Sequence, residues 1–219
     1  MLADPLSILY QDEWLVAVDK PAGQLVHPAG SPQEGDQVTM KILRDQIGQR
    51  VNSVHRLDRP TCGVLLFTKD CNSAQRMGQI FEKHSVRKIY WAVINGQPES
   101  AQWISRKSLK KDKHGICRTA ETVFHVLEEL DHELTLVEAS PTTGRFHQIR
   151  QHLLQAGHPI VGDYRYAGVE HSDALGTKLG TGTRMLLQAR QLCFTHPMTG
   201  EEMFIEAPVD PLIQRLRRR

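Results

Sequence analysis

The chain has 219 residues, 40% hydrophobic and 24% charged, which is enough to bury a sizeable core as one large domain or two small lobes. Twenty-seven Lys plus Arg against 25 Asp plus Glu leave a net charge of +2, too little by itself to demand a polyanionic partner. No stretch approaches the roughly 20 apolar residues that span a bilayer, and the start, MLADPLSILYQDEW, has no basic region ahead of an apolar one, so a membrane span and a secretory signal are set aside and a cytoplasmic protein is expected. Cys62, Cys71, Cys117 and Cys193 are scattered without a C-x-x-C pair, and no H-E-x-x-H pair occurs, so neither a metal nor a redox dithiol is expected.

In chain order, Ser7–Tyr10 and Trp14–Val18 read as short strands about a polar turn. A Gly- and Pro-punctuated loop, LVHPAGSPQEGD, follows. Met40, Leu43 and Ile47 then predict an amphipathic helix over about Gln37–Ile47, with Gly48 just past its end. Val54–Asp58 and Val64–Thr68 read as strands, Ser73–Lys83 as a helix with Ala74, Met77 and Phe81 inward, and Lys88–Ile94 as a central strand. Strands are expected over Ala120–Leu127 and Leu134–Ala139. A helix over about Arg145–Gln155 would bury Phe146, Ile149 and Leu153 and end near Gly157. Ala167–Thr183 is Gly-rich and poor in apolar residues, which predicts a mobile surface loop. A final hairpin, Leu186–Thr195 and Glu202–Glu206, turns at Met198-Thr199-Gly200. The expected fold is α+β, a single domain over residues 1–219 with a mixed, largely antiparallel sheet flanked by helices around a central cleft.

One stretch is unlike a plain turn. SVHRLDRPTCGVLLF (Ser53–Phe67) sets an aspartate between two arginines before a bend at Pro60 and Gly63. If Val54–Asp58 is extended, Arg56 and Asp58 face one way and His55 and Leu57 the other. Asp58 then serves either as a positioned carboxylate at a strand end or as one half of a turn-stabilising pair with Arg56 or Arg59. Two segments concentrate positive charge: Arg106–Arg118, with six basic residues and one acid, and Thr142–His152 (TTGRFHQIRQH), with two Arg, two His and no acid. Either a solvated face or a phosphate-lining patch fits them.

These segments together carry a resemblance. H-R-L-D-x-x-T-C-G-V resembles the signature of the RluA family of pseudouridine synthases, Lys88-Ile89-Tyr90 its Lys–Tyr strand motif, and TGRFHQIRQHL its third motif. HPIVGD (from His158) and DKPAG (Asp19–Gly23) are similar to two further family segments, so the likeness runs through the whole chain in order. The opening ILYQDEWLVAVDKPAG is most similar to the family's TruC-like branch, which acts on tRNA. Cys62 stands where the family pattern has Ser, and Gln188 where it has His, leaving the role of Gln188 open.

The resemblance implies an isomerase that needs no cofactor: it breaks the uridine N1–C1′ bond, turns the base and rejoins it through C5. Asp58 is implied as the essential carboxylate, Tyr90 as the ring that stacks on uracil, and Arg150 as the cation that keeps the carboxylate charged. Strand alternation, which puts Arg56 on the face of Asp58, makes it the candidate to fill the gap left by the flipped base; Arg145, His147 and Gln148 would contact RNA, and Lys88 either supports the cleft that holds it or reaches solvent. Structured RNA is the implied partner, tRNA before 23S ribosomal RNA; no further N-terminal RNA-binding module is expected, and a monomer is the default where the sequence says nothing of assembly. A non-catalytic RNA-binding module is the alternative; a glycoside hydrolase is disfavoured, because one framed Asp is found where two carboxylates are needed.

Overall fold

The computed structural model describes residues 4–28, 35–110 and 117–217. The middle of the expected basic loop, part of the LVHPAGSPQEGD loop and the last two arginines lie outside the described residues. The elements are β1 (Ser7–Gln11), β2 (Leu15–Lys20), α1 (Thr39–Ile47), β3 (Asn52–Ser53), β4 (Cys62–Thr68), α2 (Cys71–Glu82), β5 (Arg87–Asn95) and β6 (Gln102–Ser105). After these come β7 (Leu109–Lys110), β8 (Cys117–Arg118), β9 (Thr122–Leu130), β10 (Leu134–Pro141), α3 (Gln148–Gln155), α4 (Val169–Leu179), β11 (Leu187–Thr195), β12 (Glu202–Glu206) and α5 (Pro211–Arg217). The expected α+β class is the observed one. The pairs β1–β2, β2–β4, β3–β4, β5–β10, β9–β10, β6–β9, β7–β8 and β11–β12 are antiparallel, and an isolated parallel bridge joins Leu25 and Val38. Among the described residues no helix is long and apolar enough to cross a membrane.

The chain forms two compact units, one of Met1–Arg87 with Ala189–Pro208 and the other of Lys88–Gln188 with Val209–Arg219. In the first, β1, β2 and β4 pair in that order, β3 adds to β4, and β11 forms a hairpin with β12. The run CGVLLFT of β4 is buried along its whole length, as a strand covered on both faces must be. Val64 and Leu66 pack with Leu15, Met77 and Phe194 in the core of this unit. Gly48 ends α1 in the left-handed conformation, as its placement predicts. Asp70 caps α2 by accepting from the Ser73 amide at 2.9 Å.

Gly63, at the start of β4, has φ +104°, and a Cβ there would lie 2.1 Å from the Ala189 carbonyl oxygen. Backbone strain and overpacking therefore act together. Gly63→Ala is expected to cost on the order of 3 kcal/mol, measured as a lower denaturant midpoint at unchanged m; a wild-type midpoint would show that β4 and β11 can separate without penalty.

In the second unit β5, β10, β9 and β6 pair in that order. Ile149 and Leu153 of α3 pack there with Ala92, Phe124, Val137 and Leu187. A neighbouring cluster holds Leu134, Leu136, Leu179, Ile213 and Leu216, so α4 and the unforeseen α5 both belong to the core.

Three expectations need correction. Val54–Asp58 is not a strand: pairing with β4 stops after Ser53–Phe67. The next β4 amide, Leu66, donates to Nε2 of His55 at 2.9 Å, so an imidazole takes the ladder's place and the following residues are released into a turn. Ala167–Thr183 is not a loop but contains α4, whose buried residues are Ser172, Gly176 and Leu179. Its face is built from small residues because the Gly182 carbonyl passes 2.3 Å from where a Gly176 Cβ would sit. Finally, the helix expected from Arg145 begins at Gln148, since His147 takes a left-handed conformation, φ 50°.

Candidate active site

The first unit holds Asp58 on a braced turn. The Thr61 amide donates to the Asp58 carbonyl at 3.0 Å, closing the bend that Pro60 begins. Lys20, wholly buried, donates from Nζ to the carbonyls of Pro21 at 2.7 Å and Arg59 at 3.2 Å. The Gly23 amide also donates to the Arg59 carbonyl, at 2.8 Å, while Arg59 Nε returns a bond to the Gly23 carbonyl at 2.9 Å. The DKPAG segment is thus the buttress of the Asp58 turn, and a buried ammonium satisfied by carbonyls explains why a lysine stands there. Arg59 makes an ion pair with Asp36 at 3.0 Å. His55 stacks on Phe81, centroids 5.1 Å apart. Arg56 is exposed and Asp58 half-buried. Because 54–58 is irregular, strand alternation no longer places those two side chains on one face.

The second unit holds the other expected residues. Tyr90 and Lys88 alternate on β5, Tyr90 opposite Ala139 of β10, its ring half-buried against the core. Lys88 is half-buried, its Nζ 3.4 Å from the Thr143 carbonyl, and burial pushes its ammonium below the ordinary lysine value. Arg150, on α3, is buried in a two-pronged pair: Nε to Asp163 Oδ2 and Nη2 to Asp163 Oδ1, both 2.7 Å. Its guanidinium carbon also lies 5.1 Å from the centre of the Tyr166 ring. His147 Nδ1 is 3.1 Å from the Tyr166 hydroxyl, and Arg145 donates from Nε to the Thr119 carbonyl at 3.1 Å.

Gln148 departs from its expected RNA contact, because it is buried and turned inward. Its Oε1 accepts from the Thr143 hydroxyl at 2.7 Å and the Arg145 amide at 3.0 Å. Its Nε2 donates to the Glu121 carbonyl at 2.8 Å and to the Thr122 hydroxyl at 3.0 Å. It ties down the loop that carries Arg145 and His147. The chain of bonds continues: His152 accepts from Thr122 at Nδ1 (2.9 Å) and donates from Nε2 to the Lys107 carbonyl (3.1 Å), since a carbonyl can only accept.

This chain needs His152 neutral, and burial, aided by the Lys107 charge against its carbonyl hydrogen bond, holds the imidazole below its ordinary value of 6.5. Below pH 6.5 the unfolded chain then takes up a proton that the folded chain refuses, so stability falls as pH drops through that value towards the folded pKa. Replacing His152 by Gln should remove up to about 1.4 kcal/mol per pH unit from the stability slope just below pH 6.5, read from denaturant unfolding. A slope identical to wild type would mean that another group dominates that range.

Asp163, Tyr166 and Lys20 were given no role by sequence alone; the signal for Asp163 was the buried arginine that had to find a carboxylate. The unassigned Gln188 has a place: its Oε1 accepts from the Asp210 amide at 3.1 Å, and Asp210 pairs with Arg184 at 2.6 Å, anchoring the start of α5. Cys62 is buried at the start of β4, in no disulfide, where a small residue suffices. Among the described residues no group of three His, Cys, Asp or Glu could hold a metal ion.

Known proteins resemble this chain in sequence and in fold. The RNA pseudouridylate synthase family matches residues 14–155, and the chain belongs to that family. Within it, the chain is 38% identical to the tRNA pseudouridine synthase C of Salmonella typhi over 226 residues, covering 94% of this chain and 86% of that one. Its identity to the tRNA pseudouridine synthase C of Pasteurella multocida is 39% over 225 residues, covering 94% and 92%. The solved structure of human RNA Pseudouridylate Synthase Domain Containing 4 superposes with a TM-score of 0.75 at 25% identity, covering 96% of this chain and 93% of the human one.

Proposed function

We propose that the protein is a tRNA pseudouridine synthase, isomerising a uridine of folded tRNA without a cofactor, as a cytoplasmic monomer. The observation that carries this reading is the Asp58 turn, buttressed by Lys20, Gly23 and Thr61 in a chain of the RNA pseudouridylate synthase family. The tRNA preference rests on the relatives named above. No disulfide joins the four cysteines, as suits a reducing compartment.

In this reading Asp58 supplies the ionised oxygen that the chemistry needs, Tyr90 stacks on the uracil, and Arg150, its plane fixed by Asp163, contributes positive charge. The N1–C1′ bond breaks and C5–C1′ forms; the C5 proton leaves to solvent and N1 gains one, so the product is an isomer of the same mass. A stacked base has to be flipped out first, at a cost of roughly a few kcal/mol, and exposed Arg56 fills the vacated space. Lys88, Arg145 and His147 contact the RNA, while Gln148 acts on it only through the loop it holds.

The deciding experiment supplies the protein with tRNA and, separately, ribosomal RNA, each transcribed with [5-³H]uridine and lacking modification. Tritium release with chemically detected pseudouridine in tRNA is the expected result. Release from ribosomal RNA alone would reassign the substrate. RNA binding without release from either pool would leave a binding module.

A further inference from the structure

Phe146 is an apolar residue that helical spacing sends to the core, yet the residue is 47% exposed. The backbone enforces this, because His147 takes φ 50°, delays the start of α3 by a turn and leaves Phe146 on the preceding bend. A non-glycine residue in that conformation is strained, and Gln148 holds the strain in place through the Arg145 amide. A lone surface phenylalanine is ordinary, but this one has arranged company. It stacks on His147, centroids 3.7 Å apart and planes at 20°, and the guanidinium carbon of Arg165 lies 5.6 Å from its centre. Arg165, itself exposed, is also 5.9 Å from the Tyr166 ring, and the cation nearest in sequence is Arg145. A flat apolar ring beside guanidinium groups is the chemistry that receives a nucleobase and its phosphate, since bases stack on aromatic or arginine planes and only unpaired ones offer a face.

We propose that Phe146, with Arg165, forms a stacking platform for an unpaired base of the RNA substrate, so that this bend selects loops over continuous duplex. The proposal rests on the RNA-modifying reading, and its test is made on binding so that the two can fail separately.

Fluorescence anisotropy would follow unmodified tRNA and a fully paired RNA duplex, each titrated with wild type, Phe146→Ala, Phe146→Trp and Arg165→Gln at several salt concentrations. Phe146→Ala is expected to weaken tRNA binding about tenfold or more, within the range for one base stacked on an aromatic ring, with duplex affinity and Tm unchanged. Phe146→Trp should restore it. Phe146→Ala should keep the wild-type salt dependence, having removed no charge, whereas Arg165→Gln should reduce the slope by about one. Wild-type tRNA affinity for Phe146→Ala, or equal losses on tRNA and duplex, would overturn the platform. Phe146-dependent binding without any isomerisation would keep the platform and sink the catalytic reading; a wild type that bound neither RNA would sink both.

Discussion

Asp58→Asn is expected to fold like wild type and to lose pseudouridine formation by about 10²- to 10⁴-fold or more, the range for removing a positioned acid–base group. Retention of fold follows from the way the turn is held. The Thr61 amide bonds the Asp58 backbone carbonyl, and Lys20 and Gly23 bond the carbonyl of Arg59, and these bonds to backbone carbonyls remain when the side chain becomes an amide. Asn preserves shape and loses charge. The measurement is tritium release from [5-³H]uridine tRNA under single-turnover conditions, beside a thermal melt of both proteins. Substantial activity in the variant would remove the carboxylate from the chemistry and leave Asp58 as a turn residue.

The largest expected effect on stability lies at Arg150 and Asp163, whose side chains are 6% and 1% exposed. Asp163→Ala leaves a guanidinium desolvated with its main anion gone, which costs about 3–5 kcal/mol. Arg150→Lys is not conservative either, because an ammonium cannot meet both carboxylate oxygens in one plane. A paired change, Arg150→Met with Asp163→Leu, replaces both charges with apolar volume and should recover most of the lost stability. It should not recover activity if the positive charge of Arg150 serves catalysis. Denaturant unfolding of the single and double variants, with activity measured on each, separates the two roles. A double variant that was both stable and active would confine the pair to packing.

How much of this was legible in the sequence depends on whether a residue's job is local. The α1 helix was readable because Met40, Leu43 and Ile47 repeat at helical spacing and Gly48 can take a left-handed stop. The buried strand β4 announced itself as an unbroken apolar run. Elements that rely on close backbone approach were not legible: α4 packs through Ser172 and Gly176, and small residues leave no apolar period to count. The segment 54–58 alternated like a strand, and only the tertiary bond from the Leu66 amide to His55 shows why it is not one. The motif residues were found in sequence, but the inward turn of Gln148 and the bracing role of Lys20 needed partners 26 to 39 residues away.

The division of the chain into units bears on how the protein is made. The unit carrying Asp58 is interrupted: its last portion, Ala189–Pro208, follows the whole stretch Lys88–Gln188 in sequence. A ribosome adding about 5–20 residues per second needs roughly 5–20 s to traverse that insertion before Ala189 exists to lie against Gly63. During that interval the nascent β4, apolar along its length, is without β11. The turn that carries Asp58 is therefore encoded early and its unit completed late, and the emerging polypeptide is most exposed to aggregation or chaperone capture between those two moments.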